Sequence, residues 1–142
     1  MNACGREDSG RMGTFRSFEE IDAWQRARVL TKRVYEISRT GEFARDFALR
    51  NQIRRASVSI MSNIAEGFER GGTKEFIQFL STAKGSAAEV RSQLFVALDQ
   101  NYITKETFRE LSDTSSEISR MLSGLMTYLR RTDLKGVKYK ST

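Results

Sequence analysis

The residues best suited to binding chemistry in this sequence are three closely spaced arginines. They are Arg50, Arg54 and Arg55; residues 45–60 also contain Arg45, and their only acidic residue is Asp46. On a helix Arg50 and Arg54 share one face because they are four residues apart, and guanidinium groups in that arrangement can hold successive phosphates. The alternative is ion pairing with acidic residues of a neighbouring helix or subunit. The cluster therefore predicts either nucleic-acid binding or structural pairing.

A second basic group lies near the C-terminus. The chain carries 24 Lys+Arg and 18 Asp+Glu, a formal net charge of +6. Residues 17–129 are nearly neutral, whereas residues 130–142 contribute +4. We therefore expect any nucleic-acid contact to be local. The candidate residues in this second group are Arg130, Arg131, Lys135, Lys138 and Lys140.

The composition argues against an enzyme. The sequence has no histidine and a single cysteine, Cys4, so Ser-His-Asp and Cys-His catalytic sets and histidine-based metal sites are excluded. Ser81 and Lys84 are one helical turn apart, but no feature of the sequence lowers the pKa of the lysine, so they do not predict a catalytic dyad. We expect no catalytic residue, no metal and no cofactor.

Two further motifs have simple structural interpretations. The segment 71–74, Gly-Gly-Thr-Lys, precedes a predicted helix but lacks the order and the strand-loop-helix setting of a P-loop, so it predicts a turn. Carboxylates recur along the last predicted helix, where they predict a solvated face. These are Glu106, Glu110, Asp113 and Glu117.

Apolar residues that recur at steps of three and four predict four helices. Their expected bounds are about 18–39, 45–69, 73–100 and 104–131. The chain has no proline, which permits long helices, and the connections are short. The sequence therefore predicts an all-α fold, an up-down-up-down antiparallel four-helix bundle. The expected divisions of the chain are a flexible leader (1–16), the bundle (17–131) and a flexible basic tail (132–142).

The sequence also predicts a cytoplasmic protein that does not contact membranes. No run of about 18 apolar residues exists, so no membrane-spanning helix is expected. The first 16 residues contain several charges and no apolar block, so they do not predict a secretion signal.

Polar residues interrupt the apolar stripe of the second predicted helix. If Asn63 and Glu66 are buried, we expect them to hydrogen-bond with Ser86 or with other amides and hydroxyls of the third predicted helix, in a network that fixes the helix register. The alternative is a catalytic carboxylate.

The third and fourth predicted helices carry apolar residues off their main stripes. These residues predict a subunit contact, with a wide core stripe and scattered exposed side chains as the alternative. They are Phe79, Phe95, Met121, Met126 and Tyr128.

One long segment carries a family resemblance. Residues 52–68, QIRRASVSIMSNIAEGF, closely resemble the hallmark segment of the four-helix-bundle proteins encoded in intervening sequences of bacterial 23S ribosomal RNA genes. Residues 74–80, KEFIQFL, followed by AKGS at 83–86, form a second match, and WQRA at 24–27 a weaker third. The resemblance covers about residues 18–131.

The resemblance implies a left-handed, non-enzymatic bundle that assembles as a ring, a homopentamer in known relatives. It also implies a remote kinship with the accessory proteins of diversity-generating retroelements, basic pentamers that bind a reverse transcriptase and nucleic acid. The family pattern usually has proline where this chain has Met61. A methionine there predicts a straighter second helix.

These observations favour an oligomeric binding or scaffold module that associates with RNA, DNA or a nucleoprotein complex through basic residues. The alternative is an accessory subunit that docks a partner such as a reverse transcriptase through the apolar faces of the third and fourth predicted helices.

Overall fold

Helices form every regular element in the part of the chain that the structure describes. The computed structural model describes the backbone of residues 15–140 and the side chains of residues 15–132. Most of the expected leader, including Cys4, lies outside the described residues. The elements are a 3₁₀ turn (Phe18–Glu20) and helices α1 (Asp22–Ile37), α2 (Gly41–Arg45), α3 (Phe47–Arg70), α4 (Thr73–Asp99) and α5 (Lys105–Lys140).

The four long helices, α1, α3, α4 and α5, pack side by side as a helical bundle. Each contacts the next in the chain, and α5 also contacts α1. The pairs Arg26–Glu117 and Arg33–Glu110 join α1 to α5 in opposite chain directions, so these two helices are antiparallel. The predicted helical fold class is confirmed.

The apolar stripes of the long helices meet in one core. Leu30 of α1, Ile60 of α3, Leu94 of α4 and Leu122 of α5 are all fully buried. Their neighbours at steps of three and four along each helix are buried as well, as expected for one face of a helix turned inward.

The helix ends are specified by local sequence. Gly71, with φ of 85°, ends α3 in the left-handed conformation, and Asn101, with φ of 61°, follows the end of α4. Thr104 precedes α5, and its Oγ1 accepts a hydrogen bond from the Thr107 backbone N–H at 3.1 Å. At the start of α3 the Asp46 carboxylate accepts one from the Leu49 N–H at 3.1 Å.

The observed helix bounds differ from the expected ones in three places. The expected helix over 18–39 is divided into the 3₁₀ turn and α1, which are separated at Ile21. A separate short helix, α2, precedes α3, because Phe43 is buried and stacks on Tyr102 at 5.2 Å. Helix α5 continues to Lys140 instead of ending at 131, so the backbone of the expected flexible tail is helical up to that residue. The absence of proline permits this extension.

Helix α3 continues without interruption through Met61. Near its C-terminal end it approaches α4 closely, because a Cβ atom at Gly67 would lie 2.5 Å from the Phe79 Cβ. Only glycine fits this contact, so the α3–α4 spacing depends on residue 67.

Among the described helices, none is both long enough and apolar enough to cross a bilayer.

Candidate nucleic-acid interface

Arg54 faces into the bundle and holds the end of α1. Its Nε donates to Ser38 Oγ at 2.8 Å, and its Nη2 donates to the Ser38 carbonyl oxygen at 3.2 Å. The guanidinium lies 4.5 Å from the centre of the Tyr35 ring. Ser38 is the capping residue directly after α1, and it is fully buried. A cation at a helix C-terminus satisfies carbonyls that have no partner within the helix.

Arg50 has a similar role next to α2. Its Nη1 donates to the Ala44 carbonyl oxygen at 2.9 Å, and its guanidinium lies 4.7 Å from the centre of the Phe47 ring. Arg55, in contrast, is exposed and forms no ion pair within residues 15–132.

Arg50 and Arg54 therefore do not form the free pair on one solvent-facing helix face that phosphate binding was expected to use. Arg50 and Arg54 bind backbone carbonyls, a hydroxyl and aromatic rings, and only Arg55 faces solvent. The predicted alternative was ion pairing with acidic residues of a neighbouring helix. Arg50 and Arg54 do contact neighbouring helices, but their partners there are not acidic side chains. Arg50 and Arg54 lie one turn apart on α3, as expected from their spacing. Their guanidinium groups turn toward the bundle because backbone carbonyls at the ends of α1 and α2 lack partners within those helices.

The C-terminal basic residues lie at the other end of the bundle. Arg130 and Arg131 are exposed on α5, whereas Arg54 is level with Ser38 at the end of α1. The ion pairs between α1 and α5 place Ser38 level with the start of α5, so at 1.5 Å per helical residue the two groups are roughly 40 Å apart and do not form one surface. The side chains of Lys135, Lys138 and Lys140 lie outside the described residues.

The acidic first half of α5 is bound to α1. Glu110 accepts from Arg33 Nε at 2.9 Å and from Nη2 at 2.8 Å, and Glu117 accepts from Arg26 Nε at 3.1 Å. The hydrogen bonds from Arg33 lower the pKa of Glu110, and the carboxylate in turn raises the pKa of Arg33. These two carboxylates are therefore interhelical partners and not part of a purely solvated face.

Beyond Glu117, the sequence of α5 is mostly basic, with Asp133 as its one acidic residue. From Ile118 to Thr132 the sequence has no acidic residue, and Arg120, Arg130 and Arg131 are all exposed. Acidic residues near the N-terminus of a helix and basic residues near its C-terminus complement the helix dipole. Once Glu110 and Glu117 are paired with α1, α5 presents a cationic C-terminal half to solvent.

A groove between α4 and α5 adds a basic site that sequence reasoning missed. It has a volume of about 460 Å³. Its lining is formed by three cationic residues and three serines and contains no acidic residue. The members are Lys84, Arg91, Ser116, Ser119, Arg120 and Ser123.

The spacing of these residues was the available signal for the groove. Lys84 and Arg91 are seven residues apart, as are Ser116 and Ser123, so each pair repeats on one helix face. The sequence alone does not tell which face of α4 meets which face of α5. Ser81, considered above with Lys84 as a dyad, does not line the groove.

The structure brings together two of the three residues of the predicted polar network. Asn63 Nδ2 donates to Ser59 Oγ at 3.0 Å and to the Ser59 carbonyl oxygen at 2.8 Å, and Ser86 Oγ donates to Ser59 Oγ at 3.0 Å. Glu66 lies outside this network, because it is exposed and accepts from Arg70 Nη2 at 2.9 Å. Ser59, which links α3 to α4, was missed.

The five apolar residues predicted at a subunit contact do not form one exposed face. Met126 is only 6% exposed and belongs to the core, so its assignment to an interface is wrong; the core stripe of α5 is wider than its main spacing indicates. Met121 and Tyr128 are half-buried against the core. Phe79 packs on α3 at Gly67. Phe95 alone of the five is largely exposed, at 54%, with its ring 4.7 Å from that of Phe108.

Within residues 15–132, no group of three or more histidine, cysteine, aspartate or glutamate side chains is placed to hold a metal ion.

Comparison with known proteins identifies the family. The family model of 23S rRNA-intervening sequence proteins matches residues 19–124. The chain belongs to this family. The chain shares its fold with a protein of unknown function from the S23 ribosomal protein family of Bacteroides thetaiotaomicron VPI-5482. The two are 24% identical with a TM-score of 0.68, over 73% of this chain and 97% of that one. No protein with a curated function matches the sequence.

Proposed function

We propose that this protein is a non-enzymatic oligomeric binding module that associates with RNA through the basic C-terminal half of α5. The observation that carries the proposal is the separation of charge along this helix. Glu110 and Glu117 are paired with arginines of α1, whereas Arg120, Arg130 and Arg131 are exposed with no acidic residue between 118 and 132. The family's link to ribosomal RNA genes supports RNA as the polyanion.

Binding of this kind is electrostatic and local. Each arginine that contacts a phosphate releases a counterion, so the affinity falls as the salt concentration rises. The spacing of Arg131, Lys135 and Lys138, four and three residues apart, places these positions along one side of α5. Such a row can follow a phosphate backbone without reading its sequence.

Oligomerisation is the second part of the proposal. The family resemblance supports a left-handed bundle that assembles as a ring of five chains, and exposed Phe95 and Val96 supply apolar surface for a subunit contact. A ring repeats the basic half of α5 around its symmetry axis. Weak phosphate contacts from several subunits then combine into useful avidity.

The test is RNA binding by a variant that reverses the charge of two exposed arginines, Arg130→Glu with Arg131→Glu. The matched control is Lys32→Glu with Arg39→Glu, which makes the same change in net charge at exposed positions of the opposite half of the molecule. Binding of a single-stranded and a structured RNA is measured by fluorescence anisotropy at about 50 and 200 mM salt.

We expect wild-type affinity to fall with salt, and the Arg130/Arg131 variant to lose at least tenfold at the lower salt while the control loses much less. Equal losses in the two variants would show that only net charge matters. A wild-type dissociation constant weaker than about 10⁻⁴ M at 50 mM salt would overturn the proposal.

A second candidate function is docking of a partner protein, such as a reverse transcriptase, through the exposed apolar residues of α4. Phe95, 54% exposed, and Val96, 43% exposed, favour it. Binding of the product of a neighbouring gene in nuclease-treated samples, unaffected by the Arg130/Arg131 variant but lost on Phe95→Ser, would support this candidate over RNA binding.

A further inference from the structure

We propose that the groove between α4 and α5 binds a phosphate group through Lys84, Arg91 and Arg120. The groove is separate from Arg130 and Arg131, so this proposal does not depend on RNA association by the end of α5. The ligand chemistry is a phosphate, present either as a free ion or small phosphate compound or as part of a polynucleotide backbone.

The charge of the groove is the first argument. Its lining holds three cationic residues and no acidic one. Within residues 15–132, none of these three forms an ion pair, in contrast to Arg26 and Arg33, which are paired with α5 carboxylates. Three like charges that line one groove repel one another, and an anion between them removes that repulsion.

The second argument is a guanidinium nitrogen that has no partner. Arg91 Nη1 is buried and forms no hydrogen bond with the described residues. A buried donor without an acceptor costs free energy, and such groups in proteins are usually satisfied by a neighbouring side chain, a water or an ion. An oxyanion beside Arg91 would provide strong acceptors to this guanidinium once Nη1 turns toward the groove.

The third argument is that the serines of the groove supply further hydrogen-bond donors for a phosphate. Ser116, Ser119 and Ser123 line the α5 side of the groove, and their hydroxyls can donate to phosphate oxygens that the arginines do not reach. Hydroxyl and guanidinium donors together favour a tetrahedral oxyanion over chloride, which cannot accept from several fixed directions.

The dimensions suit a small ligand. Lys84 and Arg91 are two helical turns apart, about 10 Å, and Arg120 faces them from α5. The groove is open to solvent, and its volume of about 460 Å³ leaves room for a phosphate group.

The first experiment is calorimetric titration of the full chain with inorganic phosphate at constant ionic strength, with sodium chloride as the balancing salt. We expect saturable binding with a dissociation constant of about 0.1–10 mM. The test variant is Lys84→Gln with Arg120→Gln; both residues are exposed, so the fold is expected to survive. The matched control, Lys32→Gln with Arg39→Gln, removes the same charge elsewhere.

We expect at least a tenfold loss of phosphate affinity in the groove variant and less than a twofold loss in the control. Arg91→Gln, made separately, is expected to weaken binding while its fold is checked by circular dichroism. No saturable phosphate binding by the wild type, or equal losses in the groove and control variants, would overturn the proposal.

A competition experiment identifies the source of the phosphate. A ten-nucleotide single-stranded RNA is added to the protein with phosphate bound. Displacement of phosphate assigns the groove to a polynucleotide backbone, and retention assigns it to a free phosphate or small phosphate compound; both outcomes support a phosphate site. The Arg130→Glu, Arg131→Glu variant is expected to keep its phosphate affinity, so a failure of RNA binding by α5 is distinguishable from a failure of the groove.

Discussion

At the scale of single residues, Gly67 determines how closely α3 approaches α4. A methyl group there would place its carbon 2.5 Å from the Phe79 Cβ, a distance that forces the two backbones apart. We predict that Gly67→Ala lowers the free energy of unfolding by about 1–3 kcal/mol. Urea denaturation followed by circular dichroism measures the change.

The matched control for this prediction is Gly85→Ala. Gly85 lies inside α4, and a Cβ there has no atom within 4 Å. Alanine is a better helix former than glycine, so this variant is expected to gain about 0.5–1 kcal/mol. If both alanine variants changed stability in the same direction, the close contact at Gly67 would not be the cause.

The pairing of Glu110 with Arg33 predicts a dependence of stability on pH. The two hydrogen bonds from Arg33 lower the folded-state pKa of Glu110 below its usual value near 4.3. The unfolded chain therefore takes up the proton at a higher pH than the folded chain does. The stabilisation is complete above the unfolded pKa and is lost as the pH falls through the folded one.

We expect this partly exposed pair to contribute about 0.5–1 kcal/mol to the free energy of unfolding, a contribution that is lost as the pH is lowered through and below about 4.3. Glu110→Gln should remove that contribution, whereas Glu106→Gln, at an exposed position one turn earlier, should retain it. Urea denaturation at a series of pH values measures both. Parallel stability curves for wild type and Glu110→Gln would contradict the assignment.

At the scale of elements, the long helices could be predicted because apolar residues recur at steps of three and four along the whole of each one. Helix α4 was expected over 73–100 and is observed over Thr73–Asp99. Helix α2 could not be predicted, because its position depends on packing of Phe43 against Tyr102, 59 residues away in the chain. The local sequence contains no sign of that contact.

The candidate sites were less predictable than the helices. The sequence predicted that Arg50 and Arg54 share a face, but their partners are Ala44 and Ser38, at the ends of other helices. The α4/α5 groove is formed by residues of two helices whose relative register is set only in the folded bundle. When the partner of a side chain belongs to another helix, it can be identified only from the tertiary structure.

The position of Arg54 leads to a prediction about the junction between α1 and α3. Arg54→Ala would leave the Ser38 carbonyl at the end of α1 without this donor and would remove the stacking on Tyr35. We expect a loss of about 1–3 kcal/mol in the free energy of unfolding. Arg55→Ala, at the adjacent exposed position, is expected to change it by less than about 0.5 kcal/mol.

Chemical denaturation of the two variants separates structural from surface roles within this arginine cluster. If Arg54→Ala unfolded at the same denaturant concentration as Arg55→Ala, the contact with Ser38 would contribute nothing measurable to stability. RNA affinity of Arg55→Ala reports whether the one exposed member of the cluster contacts phosphate.

At the scale of the whole molecule, some charged residues stabilise the bundle and others remain exposed to solvent. Two arginines of α1 and two carboxylates of α5 are used to join the bundle. Arg130 and Arg131 near the end of α5, and Lys84 and Arg120 in its groove with α4, are exposed and form no ion pair within residues 15–132. One subunit therefore offers few phosphate contacts, and repetition of this surface in an oligomer would raise its affinity.

The oligomeric state is the prediction that belongs to this scale. Phe95 is 54% exposed on α4, and burial of an aromatic side chain of this kind is a common basis of subunit contacts. We expect light scattering after gel filtration to give the mass of five 16.2 kDa chains for the wild type. Phe95→Ser should shift the protein toward monomer at low concentration, because the contact loses its most exposed aromatic residue.

The control for this prediction is Phe47→Ser, which removes an aromatic side chain that is 62% exposed at the start of α3. If exposed apolar area alone governed association, the two variants would behave alike. A monomeric wild type would overturn the oligomer itself. A Phe95→Ser protein that keeps the wild-type mass at all concentrations would exclude α4 around Phe95 as the contact. Phe95 also packs against Phe108 of α5, so its substitution could loosen the α4–α5 packing. A change of mass is assigned to the interface only if thermal unfolding shows that the stability of the variant is unchanged.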